Sequence, residues 1–273
     1  MTVVGIDAGA TLCKLVRLGE PLVTAAFPST ELEAIRTQVA GWQPARIGAT
    51  GGGAPALGKH IAGVPVQAVG EFAAWGRGSE VVARHDGVPL PARCLVVSLG
   101  TGTSVLAVEQ SRAERVGGTA VGGGTVVGLG RLLLGETSFA ALAALARLGD
   151  RRRVDLLVGD VYPLAAEAPL LRDLSAANFA KLESTAPADL ASAIMGLVGE
   201  TVALIAGSHA QRLAMETIVY CGSTLQGNDA LRSVVADITE RFGHRPCFLP
   251  HGAHCGAAGA AAIAAGGDAA CAS

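Results

Sequence analysis

The sequence predicts an α/β fold built from two related lobes. Three observations carry that expectation. Short apolar runs alternate with stretches of helical spacing. The pattern of strand, Gly/Thr turn and strand occurs twice, around Asp7–Thr11 and around Gly100–Ser104, which suggests a duplicated lobe. Half of the 273 residues are hydrophobic, enough for a substantial core at a length that fits one large or two modest domains.

The elements follow in order. Val3–Asp7 is a short apolar run ending in a carboxylate, Ala8-Gly9-Ala10-Thr11 is a tight turn, and Leu12–Leu18 resumes as a strand. Glu31–Trp42 places Leu32, Ile35 and Val39 on one side of a helix, with Ser29 and Thr30 as expected caps. Arg46–Thr50 and Val64–Val69 read as strands. Glu71–Arg84 reads as a helix that Gly76 and Gly78 weaken. His85–Arg93 carries Pro89 and Pro91 and reads as the connection between lobes, which puts the boundary at 92/93 and leaves 1–92 as the first lobe and 93–265 as the second.

Cys94–Leu99 and Ser104–Glu109 are strands around the second Gly/Thr turn. Residues 115–130 are glycine-dense, Leu129–Leu148 is mostly helical, and Asp189–Leu213 is a long apolar helix. Thr217–Tyr220 is a strand, Asp229–Phe242 an amphipathic helix, Cys247–Leu249 a short strand and Gly256–Ala265 a small-residue helix. Gly266–Ser273 is an unassigned tail.

Charge narrows the partners. With 21 basic and 23 acidic residues the formal charge is -2, so no global field draws the chain to nucleic acid or to an anionic membrane. The start reaches Asp7 too soon for a secretory leader, and a cytoplasmic protein is expected. Phe248–Gly267 carries no formal charge, but its alanines and glycines give little transfer energy, and it reads as packed loop and helix. The six cysteines include no C-x-x-C pair and read as reduced thiols. His251, His254 and Cys255 lie close together, yet their spacing matches no standard zinc pattern.

Both Gly/Thr turns suit phosphates, because glycine lets backbone N–H groups point inward and hydroxyls add donors. Asp7 stands where it could hold Mg2+, through water, and Lys14 adds a positive charge. Gly53–His60 nearly matches a P-loop, but His60 replaces the hydroxyl residue and Pro55 interrupts the loop, so it reads as a loop entering a helix.

In this order the motifs resemble the type II pantothenate kinases, the branch with the staphylococcal and eukaryotic enzymes. The resemblance rests on Asp7–Lys14, Ala49–Ala54, Glu71-Phe72, Gly100–Ser104, Arg115–Gly118, Gly122–Thr125, Ser175–Phe179 and Tyr220–Ser223, and runs to about Ala265. It implies the actin/hexokinase/Hsp70-like ATPase fold, with nucleotide between the lobes, and ATP-dependent phosphorylation of pantothenate by a Mg2+-dependent homodimer, with Asp189–Leu213 contributing to the dimer interface.

Residue roles follow from the same resemblance. Asp7, Ala8, Gly9, Ala10, Thr11, Leu12, Cys13 and Lys14 would form the first phosphate loop. Thr101, Gly123, Gly124, Thr125, Val126 and Val127 would hold further parts of the nucleotide, Phe139 would lie near the adenine and Ser223 by the nucleoside. Glu71 falls at the catalytic base and Arg115 at the substrate arginine, with Thr101, Gly117 and Asn178 on the pantothenate side.

Blander readings stand beside these. Glu71 is also a good first-turn residue for a helix, Phe139 a core residue and Asn178 a cap, while Arg151-Arg152-Arg153 reads as a solvated turn. Two positions depart from the staphylococcal pattern: Ala73 replaces an acidic residue, and Ile238 aligns with a tyrosine that a partner subunit brings to the substrate. The alternatives are a kinase of the same fold acting on a sugar or another small alcohol, and a nucleotide or acyl-CoA sensor without turnover.

Overall fold

The computed structural model describes residues 1–110, 112–162 and 172–266. Val3–Ala8 (β1) and Leu12–Arg17 (β2) form an antiparallel hairpin, extended by Val23–Pro28 (β3). Leu32–Gly41 (α1) crosses to Arg46–Thr50 (β4), which lies parallel to β1. His60–Ile61 (β5) and Val64–Ala68 (β6) complete a sheet of order β3-β2-β1-β4-β6-β5. Glu71–His85 (α2) leads out of it.

The second sheet starts with an antiparallel meander of Arg93–Leu99 (β7), Thr103–Glu109 (β8) and Arg112–Thr119 (β9). Gly123–Leu134 (α3) and Phe139–Ala146 (α4) follow. Leu156–Leu157 (β10) and Ser175–Ala177 (β11) form a two-stranded ribbon, with Val158–Val161 (α5) after β10. Pro187–Arg212 (α6), Thr217–Cys221 (β12), Asp229–Arg241 (α7), Arg245–Phe248 (β13) and Cys255–Ala264 (α8) end the described chain.

Both lobes share one plan. The orders β3-β2-β1-β4-β6 and β9-β8-β7-β12-β13 are equivalent, with three antiparallel strands followed by two parallel additions. The parallel additions need crossovers, and helices supply them. The repeated Gly/Thr turns therefore occupy the same place, the first hairpin of each sheet.

Each lobe has its own core. Ile6, Leu15, Ile35, Val39 and Ile47 fill the first, and Leu95, Val97, Ile194, Val198, Ile218 and Tyr220 the second. A third cluster, with Val16, Trp75, Val82, Val96, Val219, Cys255 and Ala257, joins them. Helix α6 is long and apolar enough to cross a membrane, but 72% of its most apolar window is buried inside the second lobe.

The small-residue helix α8 lies where small residues are needed. It packs on β1, β4 and α2. A Cβ at Gly5 or Gly48 would overlap the Ala257 or Ala260 carbonyl oxygen, and one at Gly78 or Gly259 would overlap the Cys255 or Ala74 carbonyl oxygen. Gly78 thus weakens the helical propensity of α2 but permits its crossing with α8.

Several expectations need correction. Ser29 does not cap α1: its hydroxyl donates to the Gly9 carbonyl at 2.7 Å, and Glu31 takes the N-cap position without a side-chain bond. The helical run 129–148 is two helices meeting at 77°, divided by Gly135 at φ 67° and restarted by Ser138, whose hydroxyl accepts the Ala141 N–H. The P-loop-like segment is a 3-10 turn, Ala54–Leu57, that runs into β5 with no helix at Lys59. Arg151 is not solvated: its guanidinium lies 2.7 Å from Glu200 and 3.8 Å from Asp155, both buried. Strands β3, β5, β9, β10 and β11 and helix α5 add to the elements expected. Of the tail 266–273, residues 267–273 lie outside the described residues.

Candidate active site

The two hairpin turns face each other across a cleft of about 970 Å³. In the first, the Gly9 N–H donates to the Leu12 carbonyl at 3.1 Å, which closes the turn. The Thr11 hydroxyl reaches the Thr101 hydroxyl of the second turn at 3.1 Å, so the loops touch. The second turn is braced from within by Gly100 N–H to Gly102 O at 2.9 Å.

Glycines at the start of α3 close against that turn. The Gly123 and Gly124 N–H groups donate to the Gly100 and Thr101 carbonyls at 2.8 and 2.9 Å. The Thr224 hydroxyl donates to the Gly100 carbonyl at 2.9 Å. A Cβ at Gly122 would come within 2.8 Å of the Thr101 carbonyl oxygen, and one at Gly124 within 2.9 Å of the Thr101 methyl. Only glycine allows this approach of helix and turn.

Asp7, next to the last residue of β1, lines the cleft. It is 4% exposed, with Lys14 of β2 at 3.6 Å. Burial pushes its carboxyl above the ordinary range, against the pull of Lys14. Two further features fit a hydrated cation here. A Cβ at Gly256 or Gly51 would fall 2.8 or 3.0 Å from the Asp7 carboxylate oxygens, so glycines leave it room. Thr50, paired with Asp7 across β1 and β4, has a buried hydroxyl without a hydrogen-bond partner among the described residues. An oxygen donor set of this kind suits Mg2+.

Glu71 is the first residue of α2 and lines the same cleft. Its carboxyl is raised, first by desolvation and then by the charge of Asp7, with Lys14 and Arg115 pulling the other way. Arg115 comes from β9, and neither it nor Glu71 has an ion pair among the described residues. An unpaired guanidinium beside a carboxylate of raised pKa can bind an anion next to a proton acceptor.

The structure brings Asp7, Gly9, Ala10, Thr11, Leu12, Lys14, Glu71, Thr101, Arg115, Gly123, Gly124, Val127, Phe139 and Ser223 to the cleft wall. It does not bring every expected residue there. The side chains of Ala8, Cys13 and Val126 are buried in the lobe cores. Thr125 accepts the Gly122 N–H at 3.2 Å and so caps α3. Gly117 packs against the His209 ring of α6. Asn178 donates to the Ser175 hydroxyl at 3.1 Å in the β10–β11 ribbon, away from the cleft lining. Trp75, Ser98, Arg131 and Thr224 line the cleft without having been singled out in the sequence. Trp75 had a signal, four residues after Glu71 on the same helix face. Ser98 had one too, at the end of β7 just before the second turn, as Asp7 precedes the first.

The chain matches the Fumble family over residues 79–262. It is 36% identical over 266 residues to the type II pantothenate kinase of Staphylococcus aureus strain USA300, covering 94% of this chain and 97% of that one, with the same figures for strain COL. Among solved structures it resembles the activator of the 2-hydroxyisocaproyl-CoA dehydratase from Clostridium difficile with bound ADPNP (TM-score 0.66, 15% identity, 97% and 94% of the two chains). It also resembles a ROK family glucokinase from Streptomyces griseus in complex with glucose and AMPPNP (TM-score 0.63, 14% identity, 98% and 100%). These two likenesses show the fold: two α/β lobes with a cleft between them.

Proposed function

The chain belongs to the type II pantothenate kinase family, and on that premise we propose how its cleft serves the reaction. The protein is an ATP-dependent kinase that phosphorylates pantothenate, in the biosynthesis of coenzyme A. The reading of the site rests on one observation: Asp7, Lys14, Thr101, Glu71 and Arg115 come from both lobes and converge on one cleft.

Both hairpin turns hold the phosphates. Their backbone N–H groups and the Thr11 and Thr101 hydroxyls donate to phosphate oxygens, and Lys14 adds a positive charge. Asp7 would hold Mg2+, and the ion would offset charge on the phosphates. The glycine approach of α3 shapes the floor toward Val127, and Phe139 and Ser223 lie on the nucleoside side. Phosphoryl transfer leaves little covalent chemistry for the protein, so positioning dominates.

Glu71 accepts the proton of the pantothenate primary alcohol as its oxygen attacks the γ-phosphorus. A carboxylate of raised affinity for protons suits that task. Arg115 binds the pantothenate carboxylate or the transferring phosphoryl group, since its fork fits either anion. Trp75, 7% exposed beside Glu71, forms an apolar wall there. Asn178 supports the substrate side indirectly, by ordering the ribbon through Ser175.

We also propose a cytoplasmic homodimer, with 1–92 and 93–265 as its lobes, on family likeness. Leu204, a large apolar side chain exposed on the mostly buried α6, is a candidate contact of the dimer interface. The test is ADP release from MgATP with pantothenate and, separately, glucose, with the product identified by mass. Phosphopantothenate formed only with pantothenate supports the reading. Turnover with glucose alone overturns it in favour of a sugar kinase of the same fold, and ATP binding without any turnover in favour of a sensor.

A further inference from the structure

Away from the cleft, three donor groups meet where α2 ends. His85 and Asp86 close that helix, and His251 lies in the turn after β13. One donor atom from each falls within 4.8 Å of the others. Of His251, His254 and Cys255, which lie close together in the sequence, only His251 is in the group, and Cys255 faces Cys221 instead.

The setting calls for positive charge. The Asp86 carboxylate is 1% exposed at the C-terminal end of α2, where the helix dipole is negative. A buried anion there is costly unless a cation faces it. Asp86 accepts the His251 backbone N–H at 3.0 Å and meets His251 Nδ1 at 2.5 Å. That contact holds the His251 ring beside the carboxylate.

The second imidazole is free to join. The His85 ring has no hydrogen bond or ion pair among the described residues. Its centroid lies 5.1 Å from that of His251, at an interplanar angle of 66°. Two imidazoles on one tetrahedral ion, with metal–nitrogen bonds of about 2.0–2.1 Å, place their centroids about 5 Å apart. His251 is 46% exposed, which leaves a coordination position open to water.

We propose that His85, Asp86 and His251 bind one zinc-class divalent cation (Zn2+, Co2+ or Ni2+), outside the nucleotide cleft. The imidazole nitrogens favour these ions over Mg2+. The ion ties the end of α2, whose other end carries Glu71, to the turn whose Gly252 carbonyl accepts the Gly222 N–H beside Ser223.

The test is Co2+ titration of the whole protein without nucleotide, read by visible absorption and by calorimetry, with thermal melting in Zn2+ or Mg2+. The expected result is one Co2+ per chain with the intense bands of a tetrahedral site, at micromolar affinity. His85→Gln should weaken it at least ten-fold with an unchanged circular dichroism spectrum, and Asp7→Asn should leave it intact. Zn2+ should raise the melting temperature of the unaltered protein and not that of His85→Gln. Absent bands, millimolar affinity only, binding unchanged in His85→Gln, or loss in Asp7→Asn would each overturn the assignment. His251→Gln serves as the second variant, with the same expected loss.

Discussion

Replacing Gly78 by alanine tests whether the crossing of α2 and α8 sets the active-site geometry. A Cβ at position 78 would lie 2.6 Å from the Cys255 carbonyl carbon and 2.8 Å from the Gly259 nitrogen. Favourable contacts between such atoms lie at about 3.5–4.0 Å, so the helices must separate by roughly an ångström. The obstacles are backbone atoms, which no rotamer change moves. Overpacking of this kind costs about 1–3 kcal/mol, and here the upper part of that range applies. Alanine returns about 0.8–1.0 kcal/mol of helix propensity. The net loss of about 1–2 kcal/mol lowers the melting temperature by roughly 2–8 °C at this size. Glu71 lies two turns away on the same helix, and a shift of about 1 Å can cost on the order of 100-fold in turnover. Gly41→Ala is the control: it is the last residue of α1, with nothing within 4 Å of the new methyl. Melting curves and ADP release on both variants make the comparison. A Gly78→Ala protein as stable and as active as the unaltered one would refute the packing argument.

Arg115→Ala should raise KM for pantothenate or lower kcat by at least about ten-fold, with KM for ATP nearly unchanged, as steady-state kinetics would show. The acid limb of kcat/KM should lie above pH 4.5, because the base must be ionised and the Glu71 carboxyl is raised above that value. Since Arg115 pulls this carboxyl down, Arg115→Ala should move the limb to still higher pH, measurable in any residual activity. Arg151→Ala should destabilise the fold by about 3 kcal/mol in chemical denaturation, because it leaves Asp155 and Glu200 buried without their cation.

The parts of the site written in local sequence were legible, and the parts assembled from distant residues were not. Asp7–Thr11 and Gly100–Ser104 announce themselves because a strand, a Gly/Thr turn and a second strand are consecutive, and the matched sheet orders explain the echo. Glu71 and Arg115 were found only through the resemblance; alone each looks like a surface residue, and only the fold brings them together. Gly78 misled, since helix propensity is local and the α2–α8 crossing spans some 180 residues of chain. Arg151 misled for the same reason: Glu200 lies far along the sequence. The break at Gly135 and Ser138 did carry a signal, a left-handed C-cap followed by a serine N-cap, hidden by the alanine- and leucine-rich composition on either side. The tie of Asp86 to His251 spans 165 positions, which no spacing rule reaches.

The assignment of Glu71 as the base is tested most directly by Glu71→Gln, which keeps the shape of the side chain and removes its capacity to take a proton. MgATP affinity is read by calorimetry and kcat by phosphopantothenate formation. The account predicts an unchanged ATP affinity and a kcat lower by about 10²–10⁴-fold. A variant that keeps kcat within a few-fold of the unaltered protein would contradict it.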